Sequence, residues 1–127
     1  MTTVTDTGVA AVSQIINWVS PVPAAFIYIA NGSSSTAEGA EQNALGAENT
    51  LYGSARATAD CSYVSPATCK WVKLFSFSGA VTIREVGIFN SGTVGGTMLL
   101  RHVFNENKTY GDGEAVEITV TNQFRGS

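Results

Sequence analysis

Charge is what this sequence has least of. Charged residues fill 13% of its 127 positions, against the roughly 25% of an ordinary soluble domain. The surface therefore has to be built from Ser, Thr, Asn, Gly and Ala, and a neutral surface of that kind gives up its water easily against a neighbouring subunit. The seven basic residues, Arg56, Lys70, Lys73, Arg84, Arg101, Lys108 and Arg125, are scattered, and the net charge is −3. With no basic stripe to release counterions, a nucleic-acid partner is not expected. Long hydrophobic runs are missing too. The stretch from Ala24 to Ala30 is typical, far short of the ~20 residues a membrane-spanning helix needs. The N-terminal "MTTVTDTG" has no basic segment followed by a hydrophobic one, so no signal peptide is read there. These absences lead us to expect a soluble protein made in a cytoplasm, with no membrane partner.

Reactive side chains are as scarce as charges. His102 is the only histidine, which leaves no second imidazole for a metal site and makes a partly buried structural histidine the simpler reading. Cys61 with His102 as its base is the one nucleophile arrangement to consider. Asp60 and Ser62 flank that cysteine, however, and a reactive thiolate needs an electropositive setting. "GDGE" at Gly111 to Glu114 offers two carboxylates, fewer than a calcium loop uses, and reads as a hairpin turn. No enzyme, cofactor or metal is expected.

What the chain does have is a β pattern. Its length suits one core, hence a single β domain over 1–127. Near the start, Thr5 and Asp6 offer an N-cap, and Val9, Val12, Ile15, Ile16 and Val19 recur at helical spacing, predicting a short amphipathic helix over 7–19 that stops before Pro21 and Pro23. Its apolar residues Val9, Val12, Ile16 and Trp18 either form an interface patch or fold back on the domain's own sheet. "AFIYIANG" reads as a buried strand. After it, 32–50 reads as a surface loop holding a short helix, from the capping-box spacing of Ser35 and Glu38, pinned to the core by Leu45. Strand patterns then follow on both sides of "SPAT", on both sides of "SGTVGG", and from Ala115 to Phe124, where Val116, Ile118 and Val120 alternate with polar residues. Roughly six or seven strands with few helices predict a mainly β fold, an antiparallel β-sandwich or a jelly-roll-like barrel with a short N-terminal helix.

Two local patterns bear on sites. In "CSYVSPATC" a turn centred on Ser65 would set Cys61 and Cys69 opposite one another across a hairpin, making a disulfide geometrically possible; two reduced buried thiols are the alternative in a cytoplasmically made protein. Around Glu85 the apolar alternation shifts from Val81 and Ile83 to Val86 and Ile88. Such a shift marks a β-bulge, with Gly87 supplying backbone room and Glu85 either accepting hydrogen bonds beside it or lying exposed at an edge.

The order of these motifs resembles a group of small tailed-bacteriophage virion proteins. The matching pieces are "VTDTGVAAVSQIINW", "AFIYIANGSSSTAEGAEQNALGAE", "SARATADCSYV", "WVKLFSFSGAVTIREVGIFNSGTVGGTMLLRHVF" and "GDGEAVEITVTNQF", which together span nearly the whole chain. A shorter echo, "E-x-G-I-F" followed by "G-T-M-L", is similar to the attachment domains of tail-collar fibres. The resemblance implies a virion structural protein. One expectation is a capsid decoration (cement) protein on the outer surface of the head, a homotrimer bound to the major capsid protein. The other is a tail or tail-fibre base component, or a host-contacting adhesin, with tail proteins as partners. Trp18, Trp71 and Phe75 read as packing residues rather than as a sugar-stacking platform, and the chain shows no coiled coil or collagen-like repeat, which places decoration first.

Overall fold

The computed structural model describes residues 2–18, 20 and 22–124. Along the chain lie β1 (Thr2–Val4), α1 (Asp6–Asn17), β2 (Tyr28–Gly32), β3 (Ala57–Thr58), β4 (Asp60–Val64), β5 (Thr68–Ser76), β6 (Val81–Phe89), β7 (Met98–Tyr110) and β8 (Ala115–Gln123). They form two antiparallel sheets, a five-stranded one of order β1-β7-β6-β2-β3 and a three-stranded one of order β4-β5-β8. Among the described residues no barrel closes, so of the two expected architectures the sandwich is the one adopted.

Pleat alternation builds the core between the sheets. On β8, Ile118 and Val120 are buried while Glu117, Thr119 and Thr121 are exposed. The buried pair joins Trp71 and Phe75 of β5 and Val81, Ile83, Val86 and Ile88 of β6 in one cluster. The chain changes sheets three times, between β3 and β4, between β5 and β6, and between β7 and β8, and the strand patterns do not reveal these crossings. Ala59 separates β3 in one sheet from β4 in the other, its N–H held by the Ile27 carbonyl at 2.8 Å. The segment 111–114 carries the chain from β7 to β8, which pairs with β5. It is therefore a turn between sheets rather than a hairpin turn.

Helix α1 begins where its cap predicts. The Thr5 hydroxyl accepts from the Gly8 N–H at 3.0 Å and itself donates to the Met98 carbonyl, which ties the helix start to β7. The helix ends at Asn17 rather than at 19, a position outside the described residues, because Trp18 turns left-handed at φ 52° and returns its N–H to the Gln14 and Ile15 carbonyls. Its buried residues are Gly8 and Ala11, and a Cβ on Gly8 would stand 2.7 Å from Leu99 Cα. The helix thus lies on its own sheet through its smallest side chains.

A second, smaller core of Ala30, Leu45, Phe89 and Met98 occupies the opposite face of the five-stranded sheet. Leu45 anchors the 32–50 loop there, but the loop contains no helix. The capping box does not form. The Glu38 carboxylate instead accepts from Thr3 Oγ1 at 2.7 Å and from the Val103 N–H at 2.8 Å.

Candidate functional site

The residues proposed from sequence as an interface split in two. Val12 is half-buried against the main core, whereas Val9, Ile16 and Trp18 face outward, Ile16 at 75% and Trp18 at 76% exposure. The reason is the helix's choice of contact face, since seating on Gly8 and Ala11 brings the backbone close and turns the bulkier side chains sideways. Beside them runs a shallow apolar groove of about 200 Å³ lined by Val4, Val9, Val12, Leu99 and Phe124. Phe124, held by its N–H on the Ala67 carbonyl at 3.0 Å, is a member of this surface that helical periodicity could not reveal. Trp71 and Phe75 are core residues, as expected; Trp18 is not a packing residue within the chain.

Glu85 is fully buried, which removes the exposed-edge alternative. The register of β6 against β7 shifts between Ile83 and Glu85, the bulge that the alternation predicted. Its carboxylate takes four hydrogen bonds: Oε1 from the Gly46 N–H at 2.8 Å and Arg101 Nε at 2.9 Å, Oε2 from the Ala47 N–H at 2.9 Å and the Ser34 N–H at 3.0 Å. Arg101, 1% exposed, reaches onward with Nη1 to the Thr36 carbonyl at 2.9 Å and to Gln42 Oε1 at 3.0 Å. One buried ion pair therefore holds both ends and the middle of the loop, using up the backbone groups a helix would have needed for itself. Gly87 plays another part than the one expected of it. A Cβ there would meet Leu45 Cδ2 at 2.9 Å and Phe89 Cε1 at 3.0 Å, so it makes room for the small core and not for the bulge. The glycine that makes room for Glu85 is Gly32, where a Cβ would stand 2.5 Å from Glu85 Oε2.

The cysteines are not opposite one another. Cys61 pairs with Trp71 and Cys69 with Tyr63, around a loop of Ser65, Pro66 and Ala67 closed by Val64 and Thr68. The turn is centred on Pro66 instead of Ser65, and moving a turn's centre by one residue moves every cross-strand partner by two. Cys61 and Cys69 are diagonal neighbours, roughly 7–8 Å apart in an antiparallel pair, too far for a bridge. Both thiols are free, but they are not the buried pair expected as the alternative: Cys61 is exposed and Cys69 half-buried, because Cys61 lies on the exposed strand β4. Desolvation pushes the Cys61 thiol up from its ordinary pKa, with Asp60 and Cys69 adding to the effect. That favours the unreactive protonated form. His102 stands on β7, in the other sheet, beside Thr2 Oγ1 at 3.1 Å, Glu38 at 3.8 Å and the edge of the Phe104 ring, and so is no base for Cys61.

The described surface thus carries exposed apolar side chains on and just after a helix seated by small residues, and a charge-clamped loop. No family model matches the chain, and no curated protein matches it at a significant level.

Proposed function

We propose that this chain is a structural subunit of a tailed-bacteriophage virion, a decoration protein that sits on the outer capsid surface, contacts the major capsid protein and stabilises the shell. The observation that carries the reading is the exposure of the apolar side chains Val9, Ile16 and Trp18 on a domain so poor in charge. Exposed apolar area of this kind marks a contact surface, and the motif order described above supplies the virion setting. Magnitudes favour several copies acting together. Burying the three side chains yields on the order of 4 kcal/mol, whereas association costs about 4–15 kcal/mol in lost freedom. One such set of side chains alone would not hold one subunit on a shell. A homotrimer presents three sets, and the second and third contacts form at the effective concentration set by the first. Contacts without ion pairs are also nearly indifferent to salt.

Cryo-electron microscopy of the purified particle, with the copy number measured on the same sample, tests this. Hundreds of copies arrayed on the head, retained through a salt series, are the expected result. A handful at the tail would transfer the chain to the tail-component reading, and absence from the particle would refute both.

A further inference from the structure

A cleft of about 520 Å³ lies away from α1, between the 48–54 segment and the start of β6. It falls in the size range of small-ligand sites. Its chemistry is unusual in being both polar and neutral. The one carboxylate on its wall, Glu48, is closed off by Arg56, which meets it with Nη2 at 2.7 Å and Nε at 3.0 Å. Nothing ionic is left to attract a phosphate or a metal cation. What remains are uncharged hydrogen-bonding groups. Ser33 Oγ, Thr50 Oγ1 and the Tyr52 hydroxyl bond to no other described residue, and Asn107 uses its Oδ1 on Arg84 Nη1 at 3.2 Å and keeps its amide N–H groups available. Leu51, Ala80 and Val81 add an apolar strip to the same wall.

Tyr52 is the second observation. It is 51% exposed at the cleft and sits at φ 59°, a left-handed backbone that is an outlier for a bulky side chain. Its ring lies against Gly79, where a Cβ would stand 2.5 Å from the ring's Cδ1. Its carbonyl is fixed by the Ser78 N–H at 3.1 Å. A tyrosine kept for packing would be buried. This one lines the cleft half-exposed, with its ring against Gly79 and its backbone in the left-handed region.

We propose that this cleft binds a neutral saccharide. A sugar ring has an apolar C–H face, which stacks on an aromatic ring, and an edge of hydroxyls, which pair with hydroxyl and amide groups; Tyr52 supplies the first, and Ser33, Thr50 and Asn107 the second. The proposal goes beyond the structural role above and does not depend on where in a particle the chain sits.

The test is binding of the full chain to an array of neutral and anionic oligosaccharides, covering hexose, deoxyhexose and N-acetylhexosamine chains, followed by saturation-transfer NMR on the neutral ones retained. Tyr52→Gly removes the ring and suits the left-handed backbone, so its fold is checked by circular dichroism. Tyr52→Phe keeps the stacking face. The expected outcome is saturable binding of at least one neutral glycan, weakened about tenfold or more by Tyr52→Gly and largely kept by Tyr52→Phe. The proposal is overturned if no neutral glycan binds, if only anionic glycans bind, or if a folded Tyr52→Gly binds as well as the parent.

Discussion

Replacing Glu85 by Gln keeps the shape of the side chain and removes only its charge. Whichever oxygen becomes the amide NH₂ then faces two donors. At the Oε1 position these are the Gly46 N–H and Arg101 Nε, at the Oε2 position the Ser34 and Ala47 N–H groups. Two donors lose their acceptor in a site with no water-exposed surface, at about 1–3 kcal/mol each, and the Arg101 guanidinium is left buried without its counter-charge. Breaking a buried pair from one side costs about 3–5 kcal/mol. For a domain of this size that is a fall of about 10–20 °C in Tm, out of a total stability of about 5–15 kcal/mol. Urea unfolding gives the free energy, and cleavage after the exposed Glu41 by a Glu-specific protease reports on the loop itself. Protease cleavage should accelerate more than global unfolding accounts for. Arg101→Met together with Glu85→Gln should cost less than the sum of the two single changes, by about 1–3 kcal/mol. If Glu85→Gln stays within about 1 kcal/mol of the parent and the loop stays resistant, the carboxylate does not organise this loop and the reasoning fails.

Other expectations follow from close approaches and from the cysteines. Gly8→Ala gains about 1 kcal/mol of helix propensity but sets a Cβ 2.7 Å from Leu99 Cα. Overpacking of about 1–3 kcal/mol outweighs the gain, so the urea midpoint should fall; a rise would disprove the helix-on-strand contact. Gly32→Ala should destabilise more than Gly87→Ala. The first meets the fixed Ala47 carbonyl at 2.5 Å, the second the movable tips of Leu45 and Phe89, and the order of their melting temperatures decides. Thiol titration of air-exposed protein should count two free thiols, and iodoacetamide should alkylate Cys61 more slowly near neutral pH than a small-molecule thiol, because its raised pKa keeps it protonated. Asp60→Asn should speed that reaction only in part, since burial is the larger cause.

Signals that act over a few residues were legible in the sequence. The Thr5 cap and the spacing of Val9, Val12 and Ile16 locate α1 to within two residues at either end, and the alternation of Val116, Ile118 and Val120 locates β8 and its inner face. Failures arise where a distant partner decides. Ser35 and Glu38 have helix-start spacing, yet Glu85 and Arg101, many tens of residues away, take the backbone groups of that loop. Hairpin register turns on whether Ser65 or Pro66 is central, and local composition does not choose between them. A readable sign of the buried pair did exist. Arg101 is the one charge in the apolar run Met98–Phe104, and Glu85 falls where the apolar alternation of its strand shifts; charges in such positions are seldom buried unless they pair. The polar cleft left no such sign, because its groups come from four separated stretches of chain.

The clamp on the 33–47 loop has a further consequence for how that part of the molecule can change. Glu85 binds the N–H groups of Ser34, Gly46 and Ala47, and Arg101 the carbonyl of Thr36. These are main-chain atoms, which every residue except proline provides in full. The contour of the loop is therefore dictated from the sheet beneath, while Ser35, Glu41, Asn43 and Ala44 stand exposed above it and contribute nothing to holding it. Two charges fixed in the strands turn this loop into a frame of constant shape whose outer lettering can be rewritten, a surface on which new recognition can be tried without risking the fold.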